Sequence, residues 1–126
     1  MTATRLNPAR GCTVASNRFS TALTTKGTAD IATVSHTSAT GKVLLIGTAV
    51  FKTSGYTTAI VLTAGGSEVA RCPSPSTTNM RQVVMGAVDV AKGTPTTFKL
   101  QLEAQNSSVT GTVPAWEGYT LAVMDV

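Results

Sequence analysis

Residues 97–105 read TFKLQLEAQ, and their alternation decides the fold class. Phe98, Leu100, Leu102 and Ala104 fall on one side of an extended chain, with Lys99, Gln101, Glu103 and Gln105 on the other. Successive side chains point to opposite faces of a strand, so this segment predicts one dry face and one wet face. Working outward, the same grammar recurs on both sides. The stretch before it, AKGTP (91–95), is a turn, and NSS (106–108) turns the chain afterwards into VTGTVPA (109–115). GYTLAVMDV (118–126) resumes a strand after a Glu117-Gly118 turn.

Further upstream, RFSTALTT (18–25) ends at Lys26-Gly27, and ADIATVSHTS (29–38) runs to Thr40-Gly41. KVLLIGTAVFK (42–52) carries apolar residues on both faces at its start, as a central strand covered twice would. TTAIVLTA (57–64) and SEVARC (67–72) flank Gly65-Gly66, a two-residue hairpin signal. PSPSTTN (73–79) reads as a loop, because Pro73 and Pro75 are both foreign to a sheet interior. MRQVVMGAVDV (80–90) is again a strand. With 23 Thr among 126 residues, and many Val, the composition also favours pleated, half-buried surfaces. About eight short strands with no helical window predict an all-β, antiparallel sandwich, and a jelly roll suits that count.

Residues 1–18 show no apolar period and contain Pro8 and Gly11, so they read as an extended N-terminal arm before a domain over 19–126. Arg5, Arg10, Arg18 and Lys26 precede the first acid, Asp30, whereas six basic and six acidic residues balance from residue 27 onward. Three of the four net positive charges therefore belong to the arm, and the fourth, Lys26, lies just beyond it. Extended, eighteen residues span about 60 Å, far enough to reach a neighbouring protein. Arg5, Leu6, Arg10 and Arg18 are its candidate partner-binding residues. Protein is favoured over nucleic acid, because no aromatic precedes Phe19 to stack on bases.

Chemistry is sparse. His36 is the sole imidazole and reads as a surface or edge-strand residue. No Gly-x-Ser-x-Gly elbow, phosphate loop or acidic cluster is present, so no catalytic residue, metal or cofactor is expected. Cys12 and Cys72 form neither a metal pattern nor a disulfide framework and read as free thiols made in a reducing cytosol. No apolar run approaches the ~18 residues of a membrane helix, and residues 1–18 lack the apolar block of a secretory signal. Tyr56 and Trp116, both in turns, could form a small sugar-binding platform or cap the ends of the sandwich.

SATGKVLLIGTAVFKTSG, TTAIVLTAGGSEVAR, TPTTFKLQLEAQNSSVTGTV and GYTLAVMDV, in that order, resemble small jelly-roll proteins of bacteriophage particles, of the tumour-necrosis-factor-like or complement-globular-like group. The resemblance covers about residues 19–126 and leaves out the arm. It implies a homotrimer in a virion, made in the host cytoplasm and placed on the capsid surface. Under it, Tyr119, Leu121 and Val123 would lie near the threefold contact, with Phe98 and Leu100 beside it. No shaft-like segment precedes the domain, which favours a decoration (cement) protein bound to the major capsid protein or another virion protein. A receptor- or glycan-binding head of a tail or fibre is the alternative.

Overall fold

A computed structural model describes residues 11–126, with ten strands among them. They are β1 (Cys12–Arg18), β2 (Leu23–Thr25), β3 (Thr28–Thr37), β4 (Lys42–Thr53) and β5 (Thr58–Ala64), then β6 (Ser67–Ser74), β7 (Met80–Asp89), β8 (Pro95–Ala104), β9 (Gly111–Val113) and β10 (Gly118–Asp125). The pairing is nested: β1 pairs with β10, β2 with β9, β3 with β8, β4 with β7 and β5 with β6, all antiparallel. The chain is therefore one long hairpin. Its tip is Gly65-Gly66, whose φ angles of 57° and 87° suit a turn that side chains rarely adopt. The hairpin then rolls up, and β4 pairs with β10 and β9 while β5 pairs with β8. This is an all-β jelly roll. One sheet has the order β1-β10-β4, with β7 on the other side of β4 and the short β9-β2 pair at its end; the second has the order β3-β8-β5-β6.

Strand positions nonetheless number about eight, as the jelly-roll count requires. β1 and β2 are two pieces of one leg, as are β9 and β10, where Pro114 and the Ala115-Trp116 turn interrupt the ladder. That turn, rather than Glu117-Gly118, is the last one.

Two boundaries differ from expectation. Residues 12–18 are an edge strand of the first sheet and not part of a free arm. The apolar signal is faint there because β1 turns only small side chains, Thr13 and Ala15, toward the interior, and both stay half-exposed. Its order comes from the backbone ladder to β10. Pro73 lies inside β6, opposite Ala59. β6 is the outermost strand of its sheet, so one of its edges bonds to nothing and the missing N–H costs little.

The alternation in residues 97–105 is realised as expected: Phe98, Leu100 and Leu102 are fully buried. They meet Val43, Leu45, Phe51, Leu121 and Val123 of the facing sheet in one core. The sheets approach so closely over Gly47 that an added Cβ would stand 2.7 Å from Leu100 Cδ1 and 3.0 Å from Leu62 Cδ2. Within this core Thr58 Oγ1 is buried with no hydrogen-bond partner among the described residues. Thr58→Val removes that orphan hydroxyl while keeping the branched shape. The expected gain is about 1 kcal/mol, read as a rise in melting temperature of roughly 3–5 °C. An unchanged or lower value would show that the hydroxyl has a partner.

Candidate interaction surface

Two polar centres and one bare face stand out among the described residues. The first centre clasps the two sheets together. His36, on β3, is 6% exposed and buried rather than on the surface, though β3 is an edge strand. Its Nε2 donates to Asp125 Oδ1 at 3.0 Å, and its Nδ1 lies 2.8 Å from Thr13 Oγ1. Asp125 Oδ2 accepts the backbone N–H groups of Gly11 (3.0 Å) and Ala39 (3.2 Å). The Asp125 side chain is wholly shielded from solvent. Burial alone would push its carboxyl up, but donors from His36, Ser38, Gly11 and Ala39 outweigh that and hold it well below the ordinary carboxylate range. The clasp joins β1 and β10 to β3 and anchors Gly11, the residue to which the first ten are attached. A nucleophile-and-base pair would need a cleft and an oxyanion site beside it; here the imidazole sits between two strands of a packed sandwich.

The second sheet presents a solvated outer face. Asp30 accepts from Lys99 Nζ (2.9 Å) and Gln101 Nε2 (2.8 Å), which lower its carboxyl. Arg71 donates to Glu68 (2.7 Å) and Glu103 (2.9 Å). These pairs are exposed and contribute little to stability. Their long side chains still matter, because they lie over β5. Val61 points outward between Gln101 and Arg71 and is only 2% exposed.

The outer face of the first sheet has no such cover. Register places three complete rows across β1, β10, β4 and β7. One row is Cys12, Met124, Leu44 and Ala87; the next is Val14, Ala122, Ile46 and Met85; the third is Ser16, Thr120, Thr48 and Val83. None of the twelve is charged, and Val14, Val83 and Met85 are 55%, 55% and 57% exposed. Strands about 4.8 Å apart and same-face residues about 6.8 Å apart give this uncharged face about 400 Å² in plan. It is apolar over its first two rows and hydroxyl-lined over most of the third. Its area is within the size range of the largest patch on an ordinary monomer, which is often functional. Charges arise only at its ends, with Arg18 and Arg81 in the row beyond the third and Lys42 opposite Asp89 beyond the first; the Arg81 guanidinium reaches back to Thr48 Oγ1 at 3.4 Å.

The candidate interface residues read from sequence lie elsewhere. Phe98, Leu100, Leu121 and Val123 are fully buried inside the chain's own core, and Tyr119 packs half-buried against Phe19 with ring centroids 4.9 Å apart. Phe98, Leu100, Leu121 and Val123 therefore have no exposed surface to offer another subunit. The reason is parity: on β10 the odd-numbered residues point inward, and Thr120, Ala122 and Met124 point out. The outer face left one legible signal, the consecutive Leu44, Leu45 and Ile46 that predicted a strand covered on both sides. Among the arm residues, Arg5, Leu6 and Arg10 lie outside the described residues. Arg18 ends β1, its guanidinium carbon 5.4 Å from the centre of the Trp116 ring. Trp116 is 63% exposed and holds φ at 68°, a left-handed value that strains a bulky residue. Tyr56 is 72% exposed.

No protein-family model matches the sequence, and no curated protein matches it. Among solved structures, the infectious bursal disease virus VP2 subviral particle matches with a TM-score of 0.44 at 14% identity, over 99% of this chain and 42% of that one. The structure of the Gx strain of the same virus matches at 0.42 and 12%, over 99% of this chain and 40% of that one. The chain thus spans about two-fifths of the length of the structures it matches. At this identity and overlap the likeness says nothing of what this chain does, and its function must be argued from its own residues.

Proposed function

We propose that this chain is a non-enzymatic structural protein of a virus particle, and more specifically a decoration protein that binds and stabilises an assembled phage head. The observation that carries this reading is the uncharged outer face of β1, β10, β4 and β7, set against a second sheet dressed in paired charges. A protein meant to stand alone in water would have no reason to solvate one face so fully and leave the other bare. The basic arm adds to it. Gly11 and Cys12 stand at the corner of the bare face, so Arg5, Leu6 and Arg10 belong to a segment joined to that face's edge. The bare face would be the chain's assembly surface, and the arm its attachment to the major capsid protein or another virion protein. When several copies close around a symmetry axis, each later contact is effectively intramolecular, and weak arm contacts add up to tight binding. The sequence resemblance implies a trimer, a particle surface as the location, and synthesis in the host cytoplasm.

The test is co-sedimentation with particles stripped of this protein. The full chain is expected to pellet with them, and a chain lacking residues 1–10, which spares β1 and the clasp, to be retained at least tenfold less. Undiminished retention of that shortened chain would remove the arm from the mechanism. Failure of the full chain to bind would overturn the reading as a whole.

A glycan-binding head is the second reading, favoured by one observation. Exposed Tyr56 adjoins Thr57, which with Arg71, Glu103 and Gln105 lines a shallow polar depression of about 300 Å³. Tyr56→Ala is then expected to abolish binding on a glycan array. An array with no signal for the folded wild-type chain would dismiss this reading.

A further inference from the structure

We infer that the bare face is covered by a second copy of this chain, stacked face to face about a two-fold axis that runs across the strands. This rests on reading that face as an assembly surface, and it names the occupant. The face is complementary to itself. A two-fold axis lying along the middle row leaves each strand over its own copy and reverses its direction. The first row of one copy then lies over the third row of the other. Met124 comes over Thr120 and Leu44 over Thr48, a large side chain against a smaller one in both columns. Such alternation lets two layers interdigitate at the ~10 Å separation of packed sheets.

The charges at the ends follow the same operation. Arg81 lies one row beyond the third row and Asp89 one row beyond the first, both on β7. The axis therefore brings Arg81 of each copy to Asp89 of the other, giving two opposite-charge pairs at the rim. The opposite choice, an axis along the strands through the middle of the face, would lay β7 over β1 and set Arg81 over the Arg18 end of that strand, like charge against like. In the single chain Arg81 donates to the Gly118 carbonyl at 3.0 Å and to Thr48 Oγ1 at 3.4 Å and stands 4.0 Å from Glu117, so it must exchange these contacts to reach Asp89 of a second copy; its side chain is 47% exposed. Asp89 has no ion-pair partner among the described residues. The arm is a poor alternative cover, since residues 1–10 carry two arginines and only Met1 and Leu6 as large apolar side chains to lay on an uncharged face. A two-fold contact also departs from the threefold one implied by resemblance, whose residues are inside the core.

Two faces of about 400 Å² each fall below the area of a stable complex, so the dimer belongs to the weak class, half-formed at roughly 10–100 µM. Sedimentation equilibrium of the full chain from 5 to 500 µM reads this directly, with circular dichroism confirming that each variant is folded. The mass is expected to climb from 12.9 kDa toward twice that value. Met85→Glu is expected to hold it at the monomer. Arg81→Glu and Asp89→Arg should each weaken association about tenfold, and the double exchange should restore it.

A wild-type chain monomeric throughout, a trimer, a dimer indifferent to M85E, or a double exchange without rescue would each overturn the proposal. Particle binding is scored separately on the same samples. A monomer that binds particles defeats the two-fold contact and leaves the decoration role standing, while a dimer that ignores particles does the reverse.

Discussion

Asp125→Ala is expected to destabilise the fold by about 3–5 kcal/mol, because several hydrogen bonds to one buried carboxylate, each contributing about 1.5–3 kcal/mol, are lost together. The substitution deletes the acceptor for four donors at once: His36 Nε2, the Ser38 hydroxyl and the N–H groups of Gly11 and Ala39. His36 is left buried, where an unmet donor costs more than the bond itself contributes, whereas the N–H of exposed Gly11 can turn to water. Urea denaturation should show the loss as a lower midpoint at unchanged slope. A change below 1 kcal/mol would mean that the clasp is open to water.

The same group sets an acid response whose sign follows from its lowered titration. Unfolded, Asp125 titrates near the ordinary ~3.9. Folded, it titrates lower, so the unfolded chain binds the extra proton first and stability rises with pH across that interval. The clasp's contribution is therefore complete above about pH 4 and is lost as pH falls through the lowered native value. Asp30 and Glu68 are lowered as well, and they add to the acid slope of the wild-type chain. Comparison with Asp125→Asn isolates the share of the clasp: the gap between the two proteins should be widest above pH 4 and close on acidification. A gap independent of pH would dissociate the clasp from that response.

Phe98→Ala carries the second large effect. Phe98 is fully buried, with its ring 6.4 Å from that of His36 at the centre of the facing sheets. Truncation leaves a cavity in a core already tight at Gly47 and is expected to cost about 3–5 kcal/mol. This distinguishes a core residue from an interface residue. A core cavity lowers stability equally at all protein concentrations, and any self-association of the folded fraction persists. If F98A left the fold intact and only reduced association, Phe98 would have to face another subunit.

The strands themselves were legible because period two is a local property. TFKLQLEAQ states which side chains face inward without reference to any partner, and the Gly65-Gly66 tip needed no tertiary knowledge. The jelly-roll class followed from strand count and turn spacing. β1 was missed because an edge strand with one small-residue face carries almost no periodic signal; its place is decided by β10, more than a hundred residues away. His36 was misplaced for a related reason. A single polar residue in an alternating strand reads as solvent-facing unless its buried partners are known, and Thr13 and Asp125 are 23 and 89 residues distant.

The candidate surface shows the same division most plainly. Alternation assigned Leu121 and Val123 to one side of β10 and Ala122 and Met124 to the other, but it could not say which side meets the second sheet. Only the nested pairing, which stacks β10 and β4 over β8 and β5, turns Leu121 and Val123 inward. By itself the sequence determined the strands, their two-sidedness and the all-β class, because those depend on neighbours one or two residues apart. Tertiary structure alone decided which side is core and which is bare, because that depends on what covers each sheet.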